Sequence, residues 1–210
     1  MGVIVGFVSQ KGGVGKSTLA RAIAREAAVG KLQVKIADLD VQQGSSVNWH
    51  RRRLAGSIEP IFSVESYRAA AQALEQANGL DALIIDGPAR ASAGTLEIAR
   101  VADLVVQPTG ASLDDLEPAI QTFHDLVRAG IDRNKLTFAL CRVGTEAEER
   151  GCRIYIGKAG YEVLKGCIYE RAAYRQAMNA GNTITETRYS KLNKRADQLI
   201  QSLVDKITDG

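Results

Sequence analysis

Residues 9–18 read SQKGGVGKST, and this stretch decides how the rest of the sequence is interpreted. A phosphate-binding loop usually has a glycine, four residues of any type, and then Gly-Lys-Ser or Gly-Lys-Thr. When the Gly-Lys-Ser run is matched to the end of this pattern, the first glycine should fall where the chain has Gln10. Two glycines instead follow Lys11. The stretch therefore resembles a phosphate-binding loop with displaced glycines and a second lysine.

The residues on either side of the loop support a phosphate site. An apolar strand precedes it and a helical pattern begins at Ser17, so backbone N–H groups and the positive end of the helix dipole converge on one point. Lys16 would reach the β- and γ-phosphates of a nucleotide, Ser17 would bind Mg²⁺, and Thr18 would contact the α-phosphate. The candidate nucleotide-binding residues are Gly12, Gly13, Val14, Gly15, Lys16, Ser17 and Thr18.

Three aspartates follow predicted strands. Asp38 and Asp40 lie in KIADLDVQQG, and Asp86 lies in ALIIDGPA. Carboxylates at the ends of buried strands suit Mg²⁺, which they often bind through water, and Asp86 is the best candidate. Either Asp38 or Asp40 would orient the attacking water, because phosphoryl transfer requires an aligned nucleophile. Each aspartate alone also fits a simpler role in a turn or a helix cap.

Short apolar runs alternate with helical patterns along the chain. Strands are predicted at 3–8, 33–37, 61–64, 82–86, 104–107 and 136–141, with a shorter one at 166–169. Helices are predicted at 17–28, 66–77, 116–129 and 190–207. This order predicts an α/β fold, doubly wound, with a mostly parallel central sheet flanked by helices, in a single domain covering residues 1–210. The glycine loop and the aspartates follow the carboxyl ends of strands, where such sheets bind ligands.

Composition indicates the class of protein and the compartment in which we expect it. The chain has 210 residues, of which 45% are hydrophobic and 24% charged, as is ordinary for a folded soluble protein. The opening MGVIVGFV has no basic leader or cleavage site, so we expect a strand there and not a signal peptide. Cys141, Cys152 and Cys167 have neither metal-binding nor redox-pair spacing. Reduced thiols in a cytoplasmic protein are therefore expected.

Positive charge is concentrated in the last third of the chain. Residues 142–195 hold 11 Lys and Arg against 6 Asp and Glu, although the net charge of the whole chain is only +3. A basic region of this kind would suit a polyanion. Charge alone fits a solvated surface equally well.

Several motifs together resemble one family. KGGVGKST resembles the deviant phosphate loop of the ParA/MinD ATPases, in which a signature lysine precedes two glycines. DLDVQQGSSVNW, IIDGPA and VVQPTGASLDDL resemble the family's Asp-x-Asp-Pro-Gln segment, its second acidic motif and a later loop, and YERAAYRQAMNAGNTITE resembles the end of small ParF-like members. The chain departs from the family at Val41, where proline is usual, and at Gly87-Pro88-Ala89. The resemblance implies a P-loop NTPase fold that binds ATP and Mg²⁺.

The same resemblance implies roles for individual residues. In this family two subunits enclose ATP between them, and the signature lysine, here Lys11, reaches the phosphates bound by the partner. Lys11 would join Lys16 as a catalytic residue, because it adds positive charge at the phosphates only when the homodimer forms. Asp40 becomes the favoured residue for orienting water. Asp38 would lie beside it near the Mg²⁺ shell.

The resemblance also implies a biological role. ParA-type proteins bind DNA without sequence preference as ATP dimers, and a ParB-like protein or another cargo adaptor stimulates hydrolysis. We therefore expect a cytoplasmic, nucleoid-associated ATPase that partitions or positions a plasmid, a chromosome or a protein assembly. The candidate DNA contacts are Arg188, Lys191, Lys194 and Arg195. HRRR at 50–53 is denser in charge, but it would also fit near the dimer interface.

Two other functions share this type of loop. One is an ATP-dependent enzyme or metallochaperone, although iron-sulfur members need paired cysteines at a subunit interface. The other is a MinD-like ATPase at a membrane. The last predicted helix argues against it, since no aromatic residue follows Tyr189 and the helix contains Asp197 and Asp205. We expect its apolar face to pack on the sheet, without stable membrane insertion. No Asn/Thr-Lys-x-Asp motif for guanine occurs, which favours adenine.

Overall fold

The structure is a computed structural model that describes residues 2–89 and 92–208. In this part of the chain the strands are Val3–Ser9 (β1), Val34–Asp38 (β2), Ser63–Ser66 (β3), Ala82–Ala89 (β4), Leu104–Thr109 (β5), Leu136–Val143 (β6), Glu162–Val163 (β7) and Ile168–Tyr169 (β8). The helices are Lys16–Val29 (α1), Ser45–Ala55 (α2), Ala70–Glu75 (α3), Ser92–Val101 (α4), Leu113–Arg128 (α5), Glu146–Lys158 (α6), Ala172–Asn179 (α7) and Ser190–Thr208 (α8). A short 3₁₀ helix, Arg133–Lys135, precedes β6.

The strands form one twisted layer with parallel neighbours. Their order is β3-β2-β4-β1-β5-β6-β7, and β8 pairs with β6 beside β7. Each of these pairings is parallel. The arrangement confirms the predicted α/β fold with a parallel central sheet flanked by helices.

Helices cover both faces of the sheet. Leu83 and Ile84 are consecutive on β4, yet they belong to two separate hydrophobic clusters, and both side chains are almost completely buried. Helices α3, α4, α5 and α6 contribute to the cluster around Leu83. Helices α1, α2, α7 and α8 contribute to the cluster around Ile84. The strands read as short continuous apolar runs because both of their faces lie in a core.

The last helix packs as its sequence predicts. Its apolar face places Ala196, Leu199, Ile200 and Leu203 in the core that also contains α1. Among the helices that the structure describes, none is long and apolar enough to cross a membrane.

Some elements differ from the sequence predictions. The third strand lies at Ser63–Ser66, two residues later than expected, and α3 is shorter than the helix predicted at 66–77. The backbone N–H of Tyr67 donates to the carbonyl of Asp38 at 3.0 Å, which extends the contact with β2. The helix therefore begins only at Ala70. Helices α2, α4, α6 and α7 and strand β7 were not predicted.

The topology brings the candidate site residues to one edge. Asp38 and Asp86 are paired in register on neighbouring strands, and Phe7 on β1 is paired with Asp86 on the other side. The loop that follows β1 therefore lies beside the ends of both acidic strands. A site at this edge combines residues that are up to 77 positions apart in the sequence, from Ser9 to Asp86.

Candidate nucleotide-binding site

The glycine-rich loop has the backbone of an anion-binding turn. Gly13 and Gly15 have positive φ angles of 77° and 119°, a region that other residues rarely adopt. Helix α1 begins at Lys16 with Gly15 as its N-cap, and no side chain caps its first turn. The N–H groups of this turn are therefore available, with the positive end of the helix dipole, for an anion such as a phosphate.

A cavity of about 200 Å³ lies over this turn. Lys16 lines it although only 8% of the residue's surface is exposed. Burial lowers the pKa of Lys16, while the carboxylates of Asp86 and Asp40 act in the opposite direction. We call this space the phosphate cavity. It is lined by Gly12, Gly13, Gly15, Lys16, Ser17, Thr18, Arg21, Asp40, Gln43, Ser45, Gly87 and Ala89. Most of the predicted phosphate-binding residues thus meet around one space.

Two predicted loop residues have additional contacts. Val14 is buried, with 5% of its surface exposed, so its side chain belongs to the core and only its backbone would serve a phosphate. The Thr18 hydroxyl donates to the Met178 sulfur at 3.4 Å. Thr18 therefore lies between the phosphate cavity and α7.

Lys11 lies apart from Lys16. Its Nζ atom forms an ion pair with Asp115 Oδ1 at 2.8 Å, on the first turn of α5. Of the two lysines, only Lys16 lines the phosphate cavity. The Lys11 side chain remains 43% exposed. The Lys11 ammonium is therefore held by a carboxylate outside this cavity.

Asp38 is buried and caps the start of α2. Its Oδ2 accepts hydrogen bonds from the backbone N–H groups of Ser46 at 2.8 Å and Val47 at 3.2 Å, and its Oδ1 accepts one from Asp40 N at 3.1 Å. Burial and the nearby charge of Asp86 raise the pKa of Asp38 to about 6. Both carboxylate oxygens are used by the backbone, so the capping role that the sequence left open is present.

Asp40 occupies a different position from Asp38. It is partly exposed and lines the phosphate cavity. Its Oδ1 accepts a hydrogen bond from Gln43 N at 3.1 Å. Of Asp38 and Asp40, Asp40 is the one that lines the cavity.

Asp86 has the features expected beside a metal ion. Its Oδ2 accepts a hydrogen bond from the Ser46 hydroxyl at 2.7 Å. Its buried Oδ1 has no hydrogen-bond partner within the described ranges. Burial raises the pKa of Asp86, while the Ser46 hydrogen bond and the charge of Arg21 lower it. A buried carboxylate oxygen without a partner needs a cation or a water molecule, so these residues fit Mg²⁺ held with the Ser17 hydroxyl.

Arg21 and Ser46 were not predicted from the sequence as site residues. Arg21 lies one helical turn after Ser17, lines the phosphate cavity, and has its pKa lowered to about 10 by burial. Ser46 is fully buried and contacts Asp38 and Asp86. The sequence shows that a basic residue lies one helical turn after Ser17. It does not show that Ser46 on α2 is the partner of this residue.

A second cavity, of about 340 Å³, adjoins the loop at Gly13, Gly15 and Thr18. Arg142 is the second-to-last residue of β6 and has a φ of 57°, and its Nη1 donates to the carbonyl of Gly13 at 3.4 Å. Its Nε donates to Glu170 Oε2 at 3.0 Å. The remaining lining residues are Cys141, Ile168, Tyr169, Arg171, Tyr174, Arg175, Met178 and Ile184. This cavity was not predicted from the sequence.

The predicted DNA-contacting residues differ in their surroundings. Arg188, Lys191 and Lys194 are exposed near the start of α8. Arg195 is only partly exposed, and its guanidinium lies over the Tyr169 ring at 4.0 Å from the centroid. The first three form the more accessible part of the cluster.

The HRRR stretch does not form one exposed patch. Arg53 is fully buried and forms an ion pair with Glu186, with Nη1 to Oε2 at 2.8 Å. Arg51 and Arg52 are exposed. Arg53 therefore holds α2 against the segment between α7 and α8 and is not available to DNA.

The three cysteines are buried and form no disulfide. Within the residues described, no group of three or more His, Cys, Asp or Glu side chains could hold a metal ion. Cys167 instead donates to Glu149 at 3.0 Å. All three thiols lie in the packed interior of the protein.

A parallel sheet whose first strand leads through a glycine loop into α1, with one carboxylate at the end of β2 and another in the second half of β4, defines a phosphate-loop nucleotide-binding protein. Residues 5–184 match the CobQ/CobB/MinD/ParA nucleotide binding domain (CbiA), and the chain belongs to this family. Among curated proteins none matches the sequence.

Solved structures share the fold over nearly the whole chain. The cell division ATPase MinD of Pyrococcus furiosus is 17% identical, with a TM-score of 0.73, and the match covers 98% of this chain and 99% of that one. The ATP complex of McdA from Cyanothece is 16% identical, with a TM-score of 0.72 and coverage of 97% and 96%. MinD of Pyrococcus horikoshii, complexed with Mg-ADP, is 17% identical, with a TM-score of 0.72 and coverage of 99% and 98%. At these identities the likeness establishes the fold.

Proposed function

We propose that this protein is a Mg²⁺-dependent ATPase of the ParA type, with one domain over residues 1–210. It dimerises when it binds ATP, binds DNA without sequence preference, and partitions or positions a cargo. The observation that carries this proposal is the separation of the two loop lysines. Lys16 lines the subunit's own phosphate cavity, whereas Lys11 is held outside it by Asp115. A lysine in this position would act on phosphates if a second subunit brought its bound nucleotide within reach of Lys11.

The proposed reaction is hydrolysis of ATP to ADP and phosphate. The phosphates would lie on the N–H groups at the start of α1, with Lys16 neutralising their charge. Ser17 and Asp86 would hold Mg²⁺, which offsets charge on the phosphates when bound. Asp40 would orient the attacking water, and Asp38 would keep the α2 end of the site in place through its backbone hydrogen bonds. The base would occupy the cavity beside Arg142.

DNA binding is proposed for the exposed basic residues near the start of α8. Arg188, Lys191 and Lys194 would contact phosphates, which supply affinity without base recognition. A dimer would double this positive surface. The protein would then reside in the cytoplasm on the nucleoid, and ATP hydrolysis would release it.

A partner protein would stimulate hydrolysis and connect the ATPase to its cargo. The family resemblance suggests a ParB-like protein or another cargo adaptor. MinD of Aquifex aeolicus has been solved in a complex with MinC, which supports the expectation that a fold of this kind has a protein partner.

Fluorescence anisotropy with labelled duplexes of unrelated sequence tests the proposal. We expect tight binding with ATP and Mg²⁺, little binding with ADP, and a steep loss of affinity as salt is raised. Binding that is absent, or equally strong without ATP, would contradict a nucleotide-controlled role on DNA. ATP turnover without DNA binding would favour the alternative of a P-loop enzyme.

A further inference from the structure

Arg21 is a buried arginine that the proposed reaction does not use. It lies on α1, and only 8% of its surface is exposed. It lines the same cavity as Lys16 and Ser17. A buried guanidinium is unfavourable unless its donors are used, so the contacts of Arg21 indicate what it does.

Arg21 contacts Asp86 through one intermediate side chain. Arg21 Nε donates to Ser46 Oγ at 3.2 Å, and Ser46 Oγ donates to Asp86 Oδ2 at 2.7 Å. A serine hydroxyl has a single hydrogen. Arg21 can only donate and an ionised Asp86 can only accept, so the Ser46 hydrogen is directed toward the carboxylate. The guanidinium holds the Ser46 oxygen in the position from which it donates to Asp86.

Other contacts hold this chain of hydrogen bonds in place. The Ser46 backbone N–H donates to Asp38 Oδ2 at 2.8 Å. The Arg21 guanidinium lies 5.5 Å from the centroid of the Trp49 ring on α2. The three participating residues, Arg21, Ser46 and Asp86, thus connect α1, α2 and β4 at the edge of the phosphate cavity.

The arrangement leaves one oxygen of Asp86 for another ligand. Oδ2 is occupied by Ser46, whereas the buried Oδ1 has no partner in the described part of the chain. The Ser46 hydrogen bond to Oδ2 therefore leaves Oδ1 as the oxygen that another ligand can use. The orientation of the carboxylate therefore depends on Ser46 and, through the Ser46 hydroxyl, on Arg21.

We propose that Arg21 is a positioning residue of the nucleotide site, which acts through the Ser46 hydroxyl to keep Asp86 Oδ1 available for Mg²⁺. The inference rests on the proposed function, in which Asp86 assists Mg²⁺ binding. In this proposal the Arg21 guanidinium orients the Asp86 carboxylate and does not bind the phosphates of the nucleotide.

The Mg²⁺ concentration that gives half-maximal binding of a fluorescent ATP analogue measures this effect. Arg21→Met and Ser46→Ala should each raise it about tenfold, because a hydrogen bond to a charged group is lost. The affinity for the nucleotide in EDTA should stay unchanged. The double variant should show no further increase, since both substitutions interrupt the same chain of contacts.

A matched control lies one turn further along α1. Arg25 pairs with Glu26 and Glu186 outside the cavity, so Arg25→Met should leave the Mg²⁺ midpoint unchanged. Variants of Arg21 and Ser46 that lower Tm without moving this midpoint would overturn the proposal, as would additive shifts in the double variant.

If Arg21→Met does not fold, Ser46→Ala decides alone, because it keeps the cation and removes the hydroxyl. An unchanged Mg²⁺ midpoint in that variant overturns the inference. Failure of the proposed function has a different signature. Wild-type protein that binds no ATP at any Mg²⁺ concentration would overturn both proposals.

Discussion

The ion pair between Lys11 and Asp115 should restrain dimer formation, because Lys11 must leave Asp115 before it can reach a partner's phosphates. The perturbation is Asp115→Asn, which keeps the shape of the side chain and removes its charge. The two side chains are 43% and 25% exposed, and their charged atoms are 2.8 Å apart. A partly exposed pair of this kind contributes about 0.2–1 kcal/mol.

Two such pairs break when two subunits associate. The substitution should therefore favour the ATP-bound dimer by about 0.4–2 kcal/mol, which is about 2- to 30-fold in the association constant. Sedimentation velocity over a range of protein concentrations, with ATP and Mg²⁺, measures that constant. Hydrolysis is suppressed by using Asp40→Ala as the common background.

Asp114→Asn is the matched control, since Asp114 is exposed on the same turn of α5. The advantage of Asp115→Asn over this control should shrink at about 1 M salt, where exposed charges are screened. An association constant equal to that of the control, or lower, would refute the idea that Asp115 competes for Lys11.

Three further predictions concern stability and DNA binding. Arg53→Met should cost about 3–5 kcal/mol in urea unfolding, because it leaves the Glu186 carboxylate without its buried partner; a loss below about 1 kcal/mol would contradict this. Burial and Asp86 raise the Asp38 pKa to about 6, so nucleotide-free protein should lose up to about 3 kcal/mol of stability as the pH rises from about 4 to about 6. Asp38→Asn should flatten that slope in thermal unfolding, and an unaltered slope would exclude Asp38 as its source. Lys191→Gln with Lys194→Gln should reduce the salt dependence of DNA binding by about one unit of log–log slope per lost phosphate contact, whereas an unchanged slope would place the DNA elsewhere.

Sequence patterns predicted the sheet well because its strands are apolar on both faces. A short, continuous apolar run such as ALIID in β4 is typical of a strand that is buried on both faces. Helices α2 and α6 were missed because their apolar residues are too sparse to show a helical period. In α2 the buried side chains include Trp49 and the ion-paired Arg53, and a buried arginine gives no hydrophobic signal.

The phosphate loop and the aspartates were accessible from the sequence because each is a local motif. Arg21 and Ser46 were not, because their contact joins two helices and involves a separation of 25 residues. Arg142 reaches Gly13 across 129 residues, so no local pattern predicts it. The residues alone left open which of Asp38 and Asp40 would orient water, and only the family resemblance favoured Asp40. The capping contacts of Asp38 distinguish it from Asp40, which lines the cavity.

The central claim is that ATP joins two copies of this chain, and the molar mass of Asp40→Ala with ATP and Mg²⁺ tests it most directly. Multi-angle light scattering should give twice the 22.6 kDa of one chain with ATP, and the mass of one chain with ADP. Asp40→Ala that binds ATP and yet keeps the mass of a single chain would contradict the account.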